Sequence, residues 1–238
     1  MSILLSVISV ILAMVITAFM QLPSGIFMLF YHYALGNLTT KKADDLALSF
    51  IFGTETFITI IWLSIYFIIS SIMSTLPAEC PTEICIFILA GIIAATAIIF
   101  AVFYYRRGRR VPRSTTLFIS RRTAHNLTEH AKTVTTREDA FLLGFFVNVP
   151  ELIFTLPLYL ASALLIVGFP SLARAGIIIS YLIIAALPLF IIRFLCHAGL
   201  NLANLQRIRI KSKPFITLFI PACFILLTII IINLGIIN

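Results

Sequence analysis

The sequence predicts an all-α membrane protein of six transmembrane helices, arranged as two inverted three-helix repeats with both termini outside. Three observations lead there: six stretches are apolar over the length of a membrane span, the basic residues gather in alternate connections, and a short amide-and-proline motif recurs three spans apart. Of the 238 residues 61% are hydrophobic and 11% charged, at a mean hydropathy of +1.12. A soluble domain of this size has too little interior to hide that much apolar surface, so lipid is the expected solvent for most side chains. The formal charge of +8 does not imply nucleic acid, which needs a basic face on a folded soluble domain.

A spanning helix needs about 20 mostly apolar residues. Six segments qualify, at 3–35, 46–74, 83–105, 139–167, 173–195 and 214–236. The first begins MSILLSVISVILAMV, with no Lys or Arg ahead of its apolar stretch and no clear small-residue cleavage site, so a retained span is expected rather than a cleaved signal. That span is long for one straight crossing and holds Gln21, Pro23 and Gly25, which predicts a kink or break. The chain then divides into a first three-helix repeat at 1–105, a basic loop at 106–138 and a second repeat at 139–238.

Charge assigns the sides. Lys41 and Lys42 follow the first span, and Arg106, Arg107, Arg109, Arg110, Arg113, Arg121, Arg122, Lys132 and Arg137 fill the third connection. Arg207, Arg209, Lys211 and Lys213 fill the fifth, with Arg193 at its edge, whereas the even connections hold only Arg174. Such a bias on short loops places the odd connections in the cytoplasm and the chain in the inner (plasma) membrane as a multi-pass protein. The sequons at Asn37 and Asn126 then face the cytoplasm and stay unglycosylated. The stretch from Arg106 to Arg113 is expected to attract anionic lipid headgroups, at ~1 kcal/mol per basic residue. In TAHNLTEH, His125, Glu129 and His130 read as a solvated loop helix in preference to a metal site, and Thr135 to Glu138 reads as a capping box opening the fourth span.

The repeat rests on FMQLPSGIFML at 19–29 and FVNVPELIFTL at 146–156. At an offset of 127 residues Gln21 falls on Asn148 and Pro23 on Pro150, and spans two and three fall on five and six. Three spans is an odd number, so the copies have opposite orientations, the arrangement of an inverted-topology repeat. Both prolines lie roughly 17 Å from the cytoplasmic ends of their spans, near mid-bilayer. Each removes a backbone donor and crowds the carbonyl four residues earlier, which predicts two opened helices meeting there.

Glu55 and Glu151 fall near the same depth. A carboxylate at mid-bilayer costs at least ~2.5 kcal/mol, so a bundle-interior position is expected. The two either handle a cation or protons, or each is a protonated Glu bonding between helices. Gln21 and Asn148 either hold the opened helices together or coordinate substrate, and Ser24, at the position matching Glu151, is a further candidate ligand. His32, between Tyr31 and Tyr33, reads as an interface anchor. Cys80 and Cys85 in AECPTEIC form either an outer disulfide or, with Glu79 and Glu83, a weak metal site. Cys196 and Cys223 read as small apolar packing residues.

These motifs resemble the lysine-exporter superfamily, which includes amino-acid exporters, heavy-metal exporters and the thiol-reductant carriers of cytochrome biogenesis. QLPSG looks like that family's first-helix Pro-Gly motif, followed by Gly36, and DAFLLGFFVNVPELIF looks like its fourth-helix pattern. The repeat, the paired prolines and the two mid-depth carboxylates lead to the expectation of a secondary exporter working by proton-coupled alternating access on a small solute, an amino acid as the resemblance implies or a cation given Glu55 and Glu151. Pro23, Gly25 and Pro150 would be its hinges, and Gln21, Ser24, Asn148, Glu55 and Glu151 its site. The sequence departs from the pattern in the acidic Glu151, where exporters often carry Lys. In the carriers a Cys follows each Pro, where this chain has Ser24 and Glu151, which disfavours a paired-thiol relay. The rival expectations are an electron carrier acting through Cys80 and Cys85, or a non-transporting scaffold subunit. No enzyme motif and no cofactor are expected. The expected partners are the bilayer, anionic lipid, the solute, protons and, as an open alternative, a second copy of the chain. Reporter fusions test the topology: a fluorescent protein joined within 106–138 or 196–213 should fluoresce, and a periplasm-dependent phosphatase joined there should stay inactive.

Overall fold

The computed structural model describes residues 2–34, 40–75, 88, 90–96, 98–99, 130–131, 133–197, 219 and 221–233. The helices are α1 (Ser2–Ala34), α2 (Thr40–Thr75), α3 (Arg137–Val147), α4 (Leu152–Val167) and α5 (Ser171–His197), with α6 at Pro221–Asn233. No strand occurs among the described residues. Cys80 and Cys85 lie outside those residues, as do Arg106 to Arg113 and the side chains of Pro23, Ser24 and Glu151.

Two helical stretches, Lys41–Thr75 and Ser171–Leu195, are long and apolar enough to cross a membrane. Only 22% and 28% of their apolar windows are buried, whereas a soluble core helix would be mostly covered. Large apolar side chains instead point outward, among them Phe52, Phe67 and Ile68 on α2 and Ile179, Ile183 and Phe194 on α5. An exterior with this many exposed large apolar side chains is unusual for a water-exposed monomer.

The contacts fix how the helices run. On α2 and the α3–α4 segment, Asp45 meets Arg137, Thr54 meets Gly144 and Trp62 meets Ser162. Numbers rise together, so the two run parallel. On α1 and α5, Thr17 meets Tyr181 and Gly25 meets Leu189 and Ile192, again parallel. Arg193, near the end of α5, pairs with Asp44 at the start of α2, so these two are antiparallel. The start of α2, the start of α3 and the end of α5 therefore share one end of the bundle, which collects Asp44, Asp45, Arg137 and Arg193.

The tightest seam is between α2 and α3. A Cβ on Gly53 would overlap the carbonyl oxygen of Phe141, and one on Gly144 would overlap that of Phe50. Each glycine thus seats the other helix's backbone, the close approach that small residues permit. Phe57 and Phe145 pack edge to face just beyond, with ring centroids 5.2 Å apart. Two larger clusters complete the core. One joins Ile16 and Met20 of α1 to Leu158, Phe224 and Leu227. The other joins Val10, Met14, Ile58, Trp62, Tyr159 and Tyr181.

Two local expectations need correction. The cap of α3 is Thr136, not Thr135: its hydroxyl accepts from the Asp139 N–H at 3.2 Å, so the box lies one residue later and ends on an acid of different length. The expected break also appears once instead of twice. The fourth span divides at a 3-10 turn, Val149–Glu151, while α1 is helical without interruption through Pro23. Asn148 supplies a reason for the difference, because its side chain donates to the Gly144 carbonyl at 2.9 Å and so competes with the backbone for that acceptor. The seam yields a stability prediction. Gly144→Ala should lower stability by about 1–3 kcal/mol, the usual cost of overpacking, read as a drop in thermal unfolding midpoint in detergent; Gly176→Ala, where an added Cβ meets nothing within 4 Å, should not.

Candidate functional site

Interior polar groups divide into those with partners and those without. Thr17 donates to the Ala13 carbonyl and shares a 2.7 Å hydrogen bond with the Tyr181 hydroxyl. Trp62 donates Nε1–H to Ser162 at 2.9 Å, and Ser162 donates onward to the Tyr159 carbonyl. The Trp62 ring stacks on Tyr181, with centroids 5.0 Å apart, and on Tyr66 at 5.8 Å. This aromatic knot ties α1, α2, α4 and α5 together with its polar tips bonded, which makes it a structural device.

Among the described residues, three buried side-chain oxygens accept no hydrogen bond: Oε1 of Gln21, Oε1 of Glu55 and Oδ1 of Asn148. Gln21 is 1% exposed and Asn148 3%. Native proteins rarely leave such atoms unpaired, so each marks strain, catalysis or a ligand. They come from three elements, α1, α2 and the end of α3, and their depths agree. Along α1 and α5 Gln21 lies midway between the Thr17–Tyr181 and Gly25–Leu189 contacts, opposite Ala185. Along α2 and α5, the Asp44–Arg193 and Trp62–Tyr181 contacts put Ala185 level with residues 55–56. Thr54 and Asn148 both donate to the Gly144 carbonyl, at 3.1 and 2.9 Å. The three groups therefore share a layer about one helical turn, ~5.4 Å, in thickness. Glu55 lies on the α2 face that carries the buried residues Ile51, Ile58 and Trp62.

The layer abuts the 3-10 turn at Val149–Glu151, where Pro150 supplies no N–H. The Leu152 N–H still donates to the Asn148 carbonyl at 3.0 Å, so the turn bends the helix without freeing its ends entirely. The described Lys and Arg side chains all sit near helix ends: Lys41, Lys42, Arg137 and Arg174 in first turns, and Arg193 within five residues of the end of α5. No described cation is placed to neutralise Glu55. No three described His, Cys, Asp or Glu side chains group as metal ligands.

One pair of contacts also obeys the offset seen in the sequence. Adding 127 to Thr17 gives Gly144, and taking 127 from Tyr181 gives Thr54. The Thr17–Tyr181 hydrogen bond and the Thr54–Gly144 hydrogen bond are thus the same pair of positions with the halves exchanged. Gln21 and Asn148 are exchanged by the same operation, and both carry an oxygen without a donor.

Sequence reasoning missed the two ion pairs at the charged end. Arg193 grips Asp44 with two bonds, of 2.9 and 2.7 Å, both side chains being less than a third exposed. Phe190 and Phe194 join them around a cleft of about 330 Å³. Arg137 and Asp45 meet at 2.6 Å but stand in solvent, with Arg137 67% exposed. The adjacent acids of the first α2 turn thereby bind two different helices.

No protein-family model, curated protein or solved structure matches the chain.

The two pairs differ in what they should contribute. Asp44→Asn should cost about 1–3 kcal/mol, because a two-bond, partly buried guanidinium loses its charged acceptor. Asp45→Asn should leave the unfolding midpoint unchanged, since exposed pairs are screened. Thermal unfolding of both variants in one detergent checks the contrast.

Proposed function

We propose that this chain is a six-span inner-membrane secondary exporter built from two inverted three-helix repeats, moving a small solute (an amino acid or a cation) by proton-coupled alternating access. The observation that carries the reading is an exchange of positions: the bonded pairs Thr17–Tyr181, hydroxyl to hydroxyl, and Thr54–Gly144, hydroxyl to backbone carbonyl, interchange under the 127-residue offset, as do Gln21 and Asn148. A membrane protein with its two halves related in this way presents the same site to opposite faces when the halves exchange conformations. The resemblance of QLPSG and FVNVPELIF to the lysine-exporter superfamily supports the same reading.

Each part then has a role. The glycine seam between α2 and α3 and the parallel packing of α1 on α5 join the first half to the second, so sliding at these contacts alters access. The 3-10 turn at Val149–Glu151 is the natural place for α3 to move relative to α4. Glu55, an interior carboxylate with an oxygen that no donor meets, is the group that takes up a proton or the solute's charge. Asp44 with Arg193 and Asp45 with Arg137 would hold the cytoplasmic end closed.

Proteoliposomes loaded with amino acids or with inorganic cations, with and without an imposed pH gradient, test the proposal. Gradient-dependent efflux of at least one solute is expected. In Glu55→Gln that efflux should fall by about 5–150-fold, the span of ordinary coupling free energies, with the protein still inserted and monodisperse. Absence of flux for every amino acid and cation tried would reject transport.

A further inference from the structure

We infer that the interior layer is a binding site for one monovalent cation, a bare alkali ion or a small ammonium, held by the oxygens of Gln21, Glu55 and Asn148. The inference rests on the transport reading for its purpose, and names the class of ligand that the site takes.

The chemistry of the unpaired atoms selects the ligand. All three are acceptors. An anion or a carbonyl would add repulsion to atoms that already lack donors, whereas a cation satisfies them all. Two nearby donors are committed elsewhere: Asn148 Nδ2 and the Thr54 hydroxyl both go to the Gly144 carbonyl. The Asn148 amide is thereby fixed with its oxygen turned away from Gly144, since reversing it would set oxygen against oxygen. Burying these groups without a partner is costly, and a ligand that supplies positive charge or hydrogen-bond donors removes the cost.

Charge selects the valence. Glu55 is the single carboxylate whose described side chain lies in this layer, the other described acids standing at the first turns of α2 and α3. Under the 127-residue offset its counterpart is Leu182, which has no charge. Among the described side chains of the layer, the one negative charge of Glu55 and two neutral amide oxygens balance one positive charge. A divalent ion would keep an uncompensated charge in a low-dielectric interior, where such an excess is expensive. Oxygen donors of this kind suit hard cations, and softer transition metals favour the imidazole or thiolate that the described interior does not group together.

The test is equilibrium binding, which does not depend on flux. Purified protein at constant ionic strength is titrated with sodium, potassium, rubidium, ammonium or methylammonium chloride in place of N-methylglucamine chloride, and separately with magnesium or manganese chloride. Thermal unfolding and retention of radiolabelled sodium or rubidium are followed. At least one small monovalent cation should raise the unfolding midpoint and bind saturably. Preference between the alkali ions and the two ammonium salts distinguishes a metal ion from a protonated amine. Glu55→Gln should weaken binding roughly 30-fold or more. Asn148→Asp, which adds a second charge and keeps the size, should turn preference toward magnesium or manganese, and it keeps the test decisive if Glu55→Gln fails to fold. No response to any monovalent salt, a response only to divalent ions in the wild type, or binding unchanged in Glu55→Gln overturns the inference. Amino-acid flux without cation binding would overturn it and leave the transporter standing; saturable cation binding without flux of any solute would do the reverse.

Discussion

The close approach of α2 and α3 at Gly53 and Gly144 governs the rest of the interior. Because neither residue has a Cβ, each helix sets its backbone against the other's carbonyl, and Thr54 reaches Gly144 O at 3.1 Å. That same carbonyl receives the Asn148 amide. The seam thus positions Asn148, and Asn148 starts the departure from α-helical bonding that ends in the Val149–Glu151 turn. A larger side chain at either glycine would part the helices, free Thr54 and remove the constraint that aims Asn148 Oδ1 into the bundle. Packing, local backbone geometry and the polar layer are links of one chain of cause.

On the exposed side the physics is reversed. Phe67, Ile68, Ile179 and Phe194 face outward, which costs free energy in water and little in hydrocarbon. In hydrocarbon, however, helix association draws nothing from the hydrophobic effect, and must come from close packing and interhelical hydrogen bonds. The described contacts are of that kind: paired glycines, the Trp62–Ser162 and Thr17–Tyr181 bonds, and stacked aromatic rings. A soluble bundle of this size would instead show a polar exterior. The ion pairs of Asp44 and Asp45 stand where a membrane protein would meet water, and among the described residues they alone join helices by charge.

Much of this was legible in the sequence, and the illegible part has a common cause. Apolar length gave the second and fifth spans, expected at 46–74 and 173–195 and found within α2 (Thr40–Thr75) and α5 (Ser171–His197). The interruption at Pro150 was expected together with one at Pro23, where α1 continues instead, because a missing N–H is a local property but its outcome depends on neighbours such as Asn148. Gly53 carried no signal, since a glycine in an apolar run does not say which backbone it will touch. The Asp44–Arg193 pair was invisible for a similar reason: positive residues alone were weighed for topology, and a bond across 149 positions requires the fold. Trp62, the one tryptophan in the chain, gave a faint signal. Its place inside a span, at helical spacing from Glu55 and Ile58, differs from the interfacial position usual for that residue.

The polar layer is symmetric in its amides and asymmetric in its charge, and that combination has a consequence for how such a site would work. Gln21 and Asn148 exchange under the internal offset, so a ligand held between their oxygens keeps equivalent contacts whichever half moves. Glu55 has Leu182 as its counterpart and stays with one half. The backbone is asymmetric in the same sense: α3 gives way to a 3-10 turn at Pro150 while α1 continues through Pro23. A fully symmetric site would bind equally well from both sides and could not by itself favour one direction over the other. In the transporter proposed above, with the carboxylate on α2 and the yielding turn at the end of α3, the two access states would differ in how Glu55 meets ligand and water. Only a free-energy difference between such states lets a ligand or a proton shift their populations, and that difference would be set by which half carries the charge.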